Sequence, residues 1–285
     1  MDSGVPTWII TLMSYDPYIS TVGFLVNTFH LFVLTRKEMR TASSTNVIMI
    51  GIALSDLYYT GYSMFQFVVA KIDNVKCQLP DSYLTVFLNW VAGSLKDDSL
   101  RLTYFLGLSM AVIRLIAIRY PVLSNLTTSN FGWKTVLISL FSSSVISVFF
   151  HFRSSIQFID TWTPDWFGCD PLDFPVNYSI PQYALLASKL SSWNGALYSR
   201  VYLAVDGVVT KILPAVLFPI LTVLLILQLN EVSRSRKRLF SSQSNKGNVL
   251  TTKLVTYMSI SFMISGLPLG ILYVIQSFCQ GFWCM

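Results

Sequence analysis

An all-α membrane bundle is the fold class this sequence predicts, and three observations predict it. Of its 285 residues 53% are apolar and only 12% charged, whereas a soluble domain carries about 25% charged residues. The charges are gathered into short segments between apolar runs, each run reaching the roughly 18 residues that a bilayer-crossing helix needs. None of those runs shows the alternation of about ten residues that marks a membrane β-strand. Composition also excludes a disordered chain, a disulfide-knotted one (4 Cys) and a nucleic-acid-binding domain, since the net charge of +6 sits on a chain that water would not dissolve.

Six stretches can cross a hydrocarbon core about 30 Å thick at about 1.5 Å per residue: Tyr18 to Thr35, Asn46 to Val69, Tyr83 to Ile118, Trp133 to Phe152, Gly207 to Leu229 and Leu254 to Ser277. The third is too long for an upright helix and carries Lys96, Asp97, Asp98 and Arg101, so it is either strongly tilted or begins later. Between the fourth and fifth lies a long outer loop, residues 153–206, with Trp162 and Trp166 among four Asp. Loops longer than about 15 residues are lids, binding elements or linkers.

Orientation follows from the basic residues. With the amino terminus outside, the inner side collects twelve Lys or Arg against Glu38 and Glu231, and the outer side eight against eleven Asp, which satisfies the positive-inside rule one way round. In that orientation Cys77, Cys169, Cys279 and Cys284 all fall on the oxidising side. The acceptor Asn177-Tyr178-Ser179 is then outside and open to glycosylation, while Asn125-Leu126-Thr127 is inside and stays bare. The head, Met1 to Pro17, has no basic residue and does not read as a cleaved signal peptide.

Charges within spans are expensive, so each is a functional hypothesis. Asp56 lies mid-span, with Asn27 midway along the first span behind Gly23. Such groups either glue helices together by hydrogen bonds or bind ions and water. Arg114 stands near the inner end of the third span, where a snorkelling arginine is the simplest account. Pro214 and Pro219 in the fifth span and Pro268 in the sixth allow bends. An enzyme is not expected: the two histidines, His30 and His151, lie in or at the edge of spans, and no zinc, nucleophile-elbow or phosphate-loop motif occurs. No cofactor or metal is implied.

Taken together, Gly23 and Asn27, Asn46 with Leu54-Ser55-Asp56, Arg114 with Pro121, and Phe262 with Pro268 have a joint spacing that resembles the rhodopsin-like G-protein-coupled receptors. Within them, His30 through Lys37, Cys77 with Pro80 and Tyr83, Leu217 through Leu221 and Thr251 through Gly270 resemble the nematode serpentine receptors of class W, which look like receptors for FMRFamide-type short peptides. The resemblance covers the whole chain as one receptor domain, 1–285. It implies a plasma-membrane, multi-pass receptor that binds an extracellular peptide and activates a heterotrimeric G protein. Asp56 would be the sodium- and water-linked residue, Arg114 the one that contacts the G protein, and Phe262 with Pro268 the hinge of the sixth span.

Lys96, eighteen residues before Arg114, and Lys211, eight before Pro219, match positions that face ligand in that family. With Asp97, Asp98 and Arg101 they would pair with the charges of a peptide, or with one another. Trp162 and Trp166 on an acidic outer rim suit a cationic peptide. Cys77 pairs with Cys169 on this reading, because Asn89 stands where the family's disulfide cysteine is usual.

Other departures are Ile113 and Leu115, in place of the acid and aromatic that normally flank the arginine, and Gly266, where a tryptophan is usual. The six spans use the chain as far as Met285, so the seventh helix is expected to be missing. That leaves two alternatives to a signalling receptor: a truncated, non-signalling homologue and a small-solute transporter. The second is opposed by the absence of any repeat between the two halves.

Overall fold

The computed structural model describes residues 7–36, 43–72, 79–120, 122, 124–164, 169, 174–175, 177–239, 263–264, 266–268, 270–275 and 277–278. Its helices are α1 (Thr7–Thr35), α2 (Ser44–Ile72), α3 (Tyr83–Arg119), α4 (Ser129–Arg153), α5 (Lys189–Val205) and α6 (Leu213–Leu239), with a 3₁₀ turn at Ser124–Thr127. Residues 206–212 join α5 to α6 in π-helical register, so the fifth span is one rod. Helical residues recur between 266 and 275, in the expected sixth span. Four of these segments are long and apolar enough to cross a membrane: Tyr15–Thr35, Tyr83–Arg119, Ser129–Arg153 and Ala196–Val232.

Side-chain placement has the inverted order that lipid demands. Ile19, Val22, Leu25, Val26 and Phe29 of α1 and Leu137, Ile138 and Phe141 of α4 point outward and are exposed, while Ser139, Ser143 and Ser147, spaced four apart along α4, are buried. Apolar side chains gain nothing by leaving hydrocarbon, so helix contacts are made by small and polar residues that let backbones approach. Gly23, where a Cβ would lie 3.1 Å from Thr60 Cγ2, is one such contact between α1 and α2. Gly132, where a Cβ would lie 2.8 Å from Ser44 Cα, is another, between α4 and α2. The central helix is α3, which packs on α2, α4 and α6. Ile48, Leu106, Met110 and Ile113 form the apolar core between α2 and α3, with Phe131 and Val136 of α4 packed against it.

One open expectation is narrowed here and another is corrected. The third span is a single unbroken helix of 37 residues, capped where the Ser82 hydroxyl accepts the Thr85 N–H. At about 55 Å it carries its polar cluster inside rather than starting after it. The supposed outer loop, residues 153–206, is largely structured. Strands β1 (Ser154–Trp162) and β2 (Ile180–Ala187) pair antiparallel, and α5 then starts at Lys189, capped by the Ser188 hydroxyl accepting the Ser191 N–H. Apolar runs delimit only the part of a helix that sits in hydrocarbon. The polar first turns of α5 therefore carry no hydropathy signal, and the short hairpin strands are not apolar enough to show one. The inner end behaves alike, since α6 continues to Leu239, past the expected limit at Leu229.

Candidate functional site

Five of the expected site residues, Lys96, Asp97, Asp98, Arg101 and Lys211, lie on α3 and the π-turn, and the structure separates them into a paired set and an unpaired one. The paired set begins with Asp98 on the buried side of α3. Its carboxylate accepts from the hydroxyls of Ser143, of Ser147 at 3.1 Å and of Ser144 at 3.3 Å, all on α4. One helical turn on, Arg101 donates through Nη2 to Ser147 Oγ and through Nη1 to Asp206 Oδ1 at 3.2 Å. Asp206 in turn receives Lys211 Nζ on its other oxygen at 2.9 Å and the Thr210 hydroxyl at 3.0 Å. Lys211 Nζ also sits 4.4 Å above the ring of Tyr273. Side-chain contacts thus run from α4 through α3 and the π-turn to the last helical stretch, alternating in sign: Asp98, Arg101, Asp206, Lys211.

The energetic reason for this pattern is burial. Arg101 is 1% and Asp206 2% exposed, and an uncompensated charge so placed would cost several kcal/mol. Alternating signs and serine hydroxyls supply the compensation. Neither reading left open for the cluster describes its pairing: Arg101 and Lys211 share Asp206, which the expected set did not include, and Asp98 is held by serines. The partners that sequence reasoning missed are Asp206, Ser143, Ser144 and Ser147. Ser142-Ser143-Ser144, followed by Ser147, in the middle of an apolar span is the signal that could have found the last three.

The unpaired set is Lys96 and Asp97, both only partly buried. Lys96 Nζ lies 4.9 Å over the ring of Tyr59 on α2, and neither residue has an ion pair within 4.0 Å among the described residues. The two stand one turn or less from the paired network and within electrostatic range of it.

Trp162 does not stand on an open rim. It is 2% exposed, enclosed at the hairpin's outer end by Phe174 at 5.7 Å and Tyr178 at 6.5 Å between ring centroids. A large apolar ring beside a strand end lowers its free energy more by covering itself than by waiting for a ligand, so its expected ligand contact is replaced by a structural one. Trp166 lies outside the described residues. Cys169 is buried and disulfide-bonded, whereas Cys77 lies outside the described residues. Asn177 is exposed with φ 63°, in a turn just ahead of β2. Midway along the hairpin, Tyr183 meets Tyr83 edge-on at 5.5 Å, which fixes β2 to the start of α3.

Deeper in the bundle, the Thr103 hydroxyl donates to Asp56 Oδ1 at 2.8 Å, tying α3 to α2, so Asp56 makes at least the helix-joining contact weighed for it. Asn27 is half-buried on α1. Pro268 is in the last helical stretch, and Phe262 lies outside the described residues. At the inner end Arg114 borders an apolar cleft between α3 and α6, with Phe218, Leu221, Thr222 and Leu225 on its other wall. Arg114 has no ion pair among the described residues, as Ile113 beside it requires. No cluster of three or more His, Cys, Asp or Glu able to hold a metal occurs among the described residues.

Comparison with known proteins follows the same lines. A family model described as "Serpentine type 7TM GPCR chemoreceptor Srw" matches residues 14–283. Among curated proteins, the "G-protein coupled receptor dmsr-1" of Caenorhabditis elegans is 25% identical over 258 residues, covering 86% of this chain and 48% of that relative. The chain therefore spans about half the length of the relative it matches.

Proposed function

Since the chain belongs to the Srw family of serpentine seven-transmembrane G-protein-coupled chemoreceptors, we propose that it senses a short, charged peptide of the FMRFamide type from outside the plasma membrane and passes the signal to a heterotrimeric G protein. Lys96 and Asp97 are the ligand-facing pair in this reading. The observation that carries it is the contrast within one stretch of α3: Asp98 and Arg101 are buried and held by partners on neighbouring elements, whereas Lys96 and Asp97 are partly open and lack ion partners among the described residues. Opposite charges on adjacent residues suit a ligand bearing both an acidic group and a guanidinium or ammonium, and Tyr59 adds a ring for the cation.

Arg101, Asp98 and Lys211 are then the floor of the site rather than its recognition groups. Arg114 and the cleft wall formed by Phe218 and Leu225 are the inner counterpart that a G protein meets. Asp56, Asn27, Phe262 and Pro268 carry the change between the two ends. Cys169 with Cys77 holds the hairpin, and Asn177 bears glycan, on an amino-terminus-outside topology.

The test is a cell-surface-expressed full chain challenged with a panel of amidated Arg-containing peptides while nucleotide exchange on co-expressed G proteins is followed. A peptide response is expected that weakens at least 10-fold in potency in Lys96→Met and Asp97→Asn, with surface level unchanged. A response that ignores both substitutions would sink the assignment of that pair. Amine or odorant responses without any peptide response would sink the peptide class.

A further inference from the structure

We infer that the Asp206–Lys211 ion pair is a register lock: it holds residues 206–212 in π-helical form, and its loss returns the fifth span to α-helical register. The inference deepens the receptor reading by giving the network beneath Lys96 and Asp97 a conformational task.

The geometry carries it. In an α-helix, successive residues are about 100° apart, so a residue five positions on sits about 140° round the axis and cannot reach its predecessor's side chain. Here Lys211 Nζ meets Asp206 Oδ2 at 2.9 Å, and the turn closes with the wider hydrogen bond of a π-helix, Leu213 N–H to Val208 O. Pair and register are therefore one event. Pro214, the next residue, has no N–H, so an α-helical turn over this stretch would lack the hydrogen bond to Thr210 O in any case. That lowers the cost of the wider turn where it occurs.

The lock is connected but not saturated. Arg101 bridges Asp206 through one contact of 3.2 Å rather than a two-pronged fork, and its Nε has no partner among the described residues. Asp206 is thus shared between two cations with donor capacity to spare.

Release has somewhere to act. The last helical stretch lies directly on the turn: a Cβ on Gly270 would stand 2.6 Å from Ile212 Cγ1 and 3.0 Å from Gly207 O, and one on Gly207 would stand 3.0 Å from Gly270 O. Backbones this close cannot stay in place while the turn rewinds, so a change of register displaces the sixth span as well as rotating α6.

The test needs neither ligand nor G protein, so failure of the receptor reading would not be mistaken for failure of the lock. Spin labels are carried on non-natural residues replacing Leu137 on α4 and Val223 on α6, exposed positions on separate helices, in the purified full chain. Pulsed distance measurements then compare four proteins: unaltered, Asp206→Asn, Lys211→Met and a deletion of exposed Val209. In the deletion, Asp206 and Lys211 become four apart and the pair fits an ordinary α-helix. The expected result is one narrow distance in the unaltered chain. Asp206→Asn and Lys211→Met should add a second population or a shift on the order of 5 Å, as a rotation of about 100° implies. The deletion variant should give one narrow distance that adding Asp206→Asn does not alter. Lys211→Met keeps the Arg101–Asp206 bridge and carries the test if Asp206→Asn fails to accumulate. An unchanged distance in a monodisperse Lys211→Met or Asp206→Asn protein overturns the lock, and so does a distance that Asp206→Asn still shifts in the deletion background.

Discussion

The helix α3 carries Arg101 at its midpoint and Arg114 near its C-terminal end, and the bundle treats the two oppositely. Arg101, 1% exposed, is held by Ser147 and Asp206 and completes a line of charges alternating in sign. Arg114, half-buried beside Phe218 and Leu225, meets only an apolar cleft and no ion partner among the described residues. A charge that has its partners within the chain serves the fold, whereas one kept at an apolar opening without them is available to a partner from elsewhere. The comparison divides the chain's cations by task more sharply than their types do, because both residues are arginines on one helix.

Substitutions can break or sharpen that division, and the largest effect belongs to the paired arginine. Arg101→Met strips Asp206 of its inter-helix partner, and losing one member of a buried pair costs about 3–5 kcal/mol. Thermal unfolding in detergent and surface staining should both show severe loss, and a melting temperature within error of the unaltered chain would contradict the assignment. Next comes Ser143→Ala, which removes a hydrogen bond to the buried Asp98 carboxylate. Bonds to charged groups contribute about 1.5–3 kcal/mol, so the melt should fall measurably while the chain still reaches the surface. The smallest change in stability is expected for Arg114→Ala, within about 0.5 kcal/mol, together with complete loss of G-protein nucleotide exchange. A destabilisation as large as that of Arg101→Met would erase the distinction between the two arginines.

Much of the bundle was legible in the sequence because hydrocarbon imposes a blunt rule: apolar runs of span length mark helices. The family resemblance carried on Asp56, Arg114 and the prolines agrees with the match over residues 14–283. What the rule cannot see is helix outside hydrocarbon. The polar first turns of the Lys189–Val205 helix, ahead of the apolar stretch that begins at Ala196, and the Ser154–Ala187 hairpin accordingly read as loop.

Within the site, Lys96, Asp98, Arg101 and Lys211 were visible as charges in or beside an apolar span. Asp206 was not, because it sits at the edge of the apolar run that begins at Gly207, and because five positions is the wrong spacing for an α-helical partner of Lys211. A π-turn has no sequence signature of its own, so the pairing could be found only in three dimensions. Trp162 failed for the opposite reason: its residue type suits a ligand contact, but Phe174 and Tyr178, twelve and sixteen positions away in the chain, close over it.

Asp98, Arg101, Asp206 and Lys211 sum to zero, and that has an electrical consequence. A membrane potential does about 2.3 kcal/mol of work on each elementary charge moved through 100 mV, but it does no net work on a neutral block that travels as one. These four charges are buried in the bundle, yet a displacement that carries them together transfers no gating charge, so cell depolarisation leaves that movement to chemistry alone.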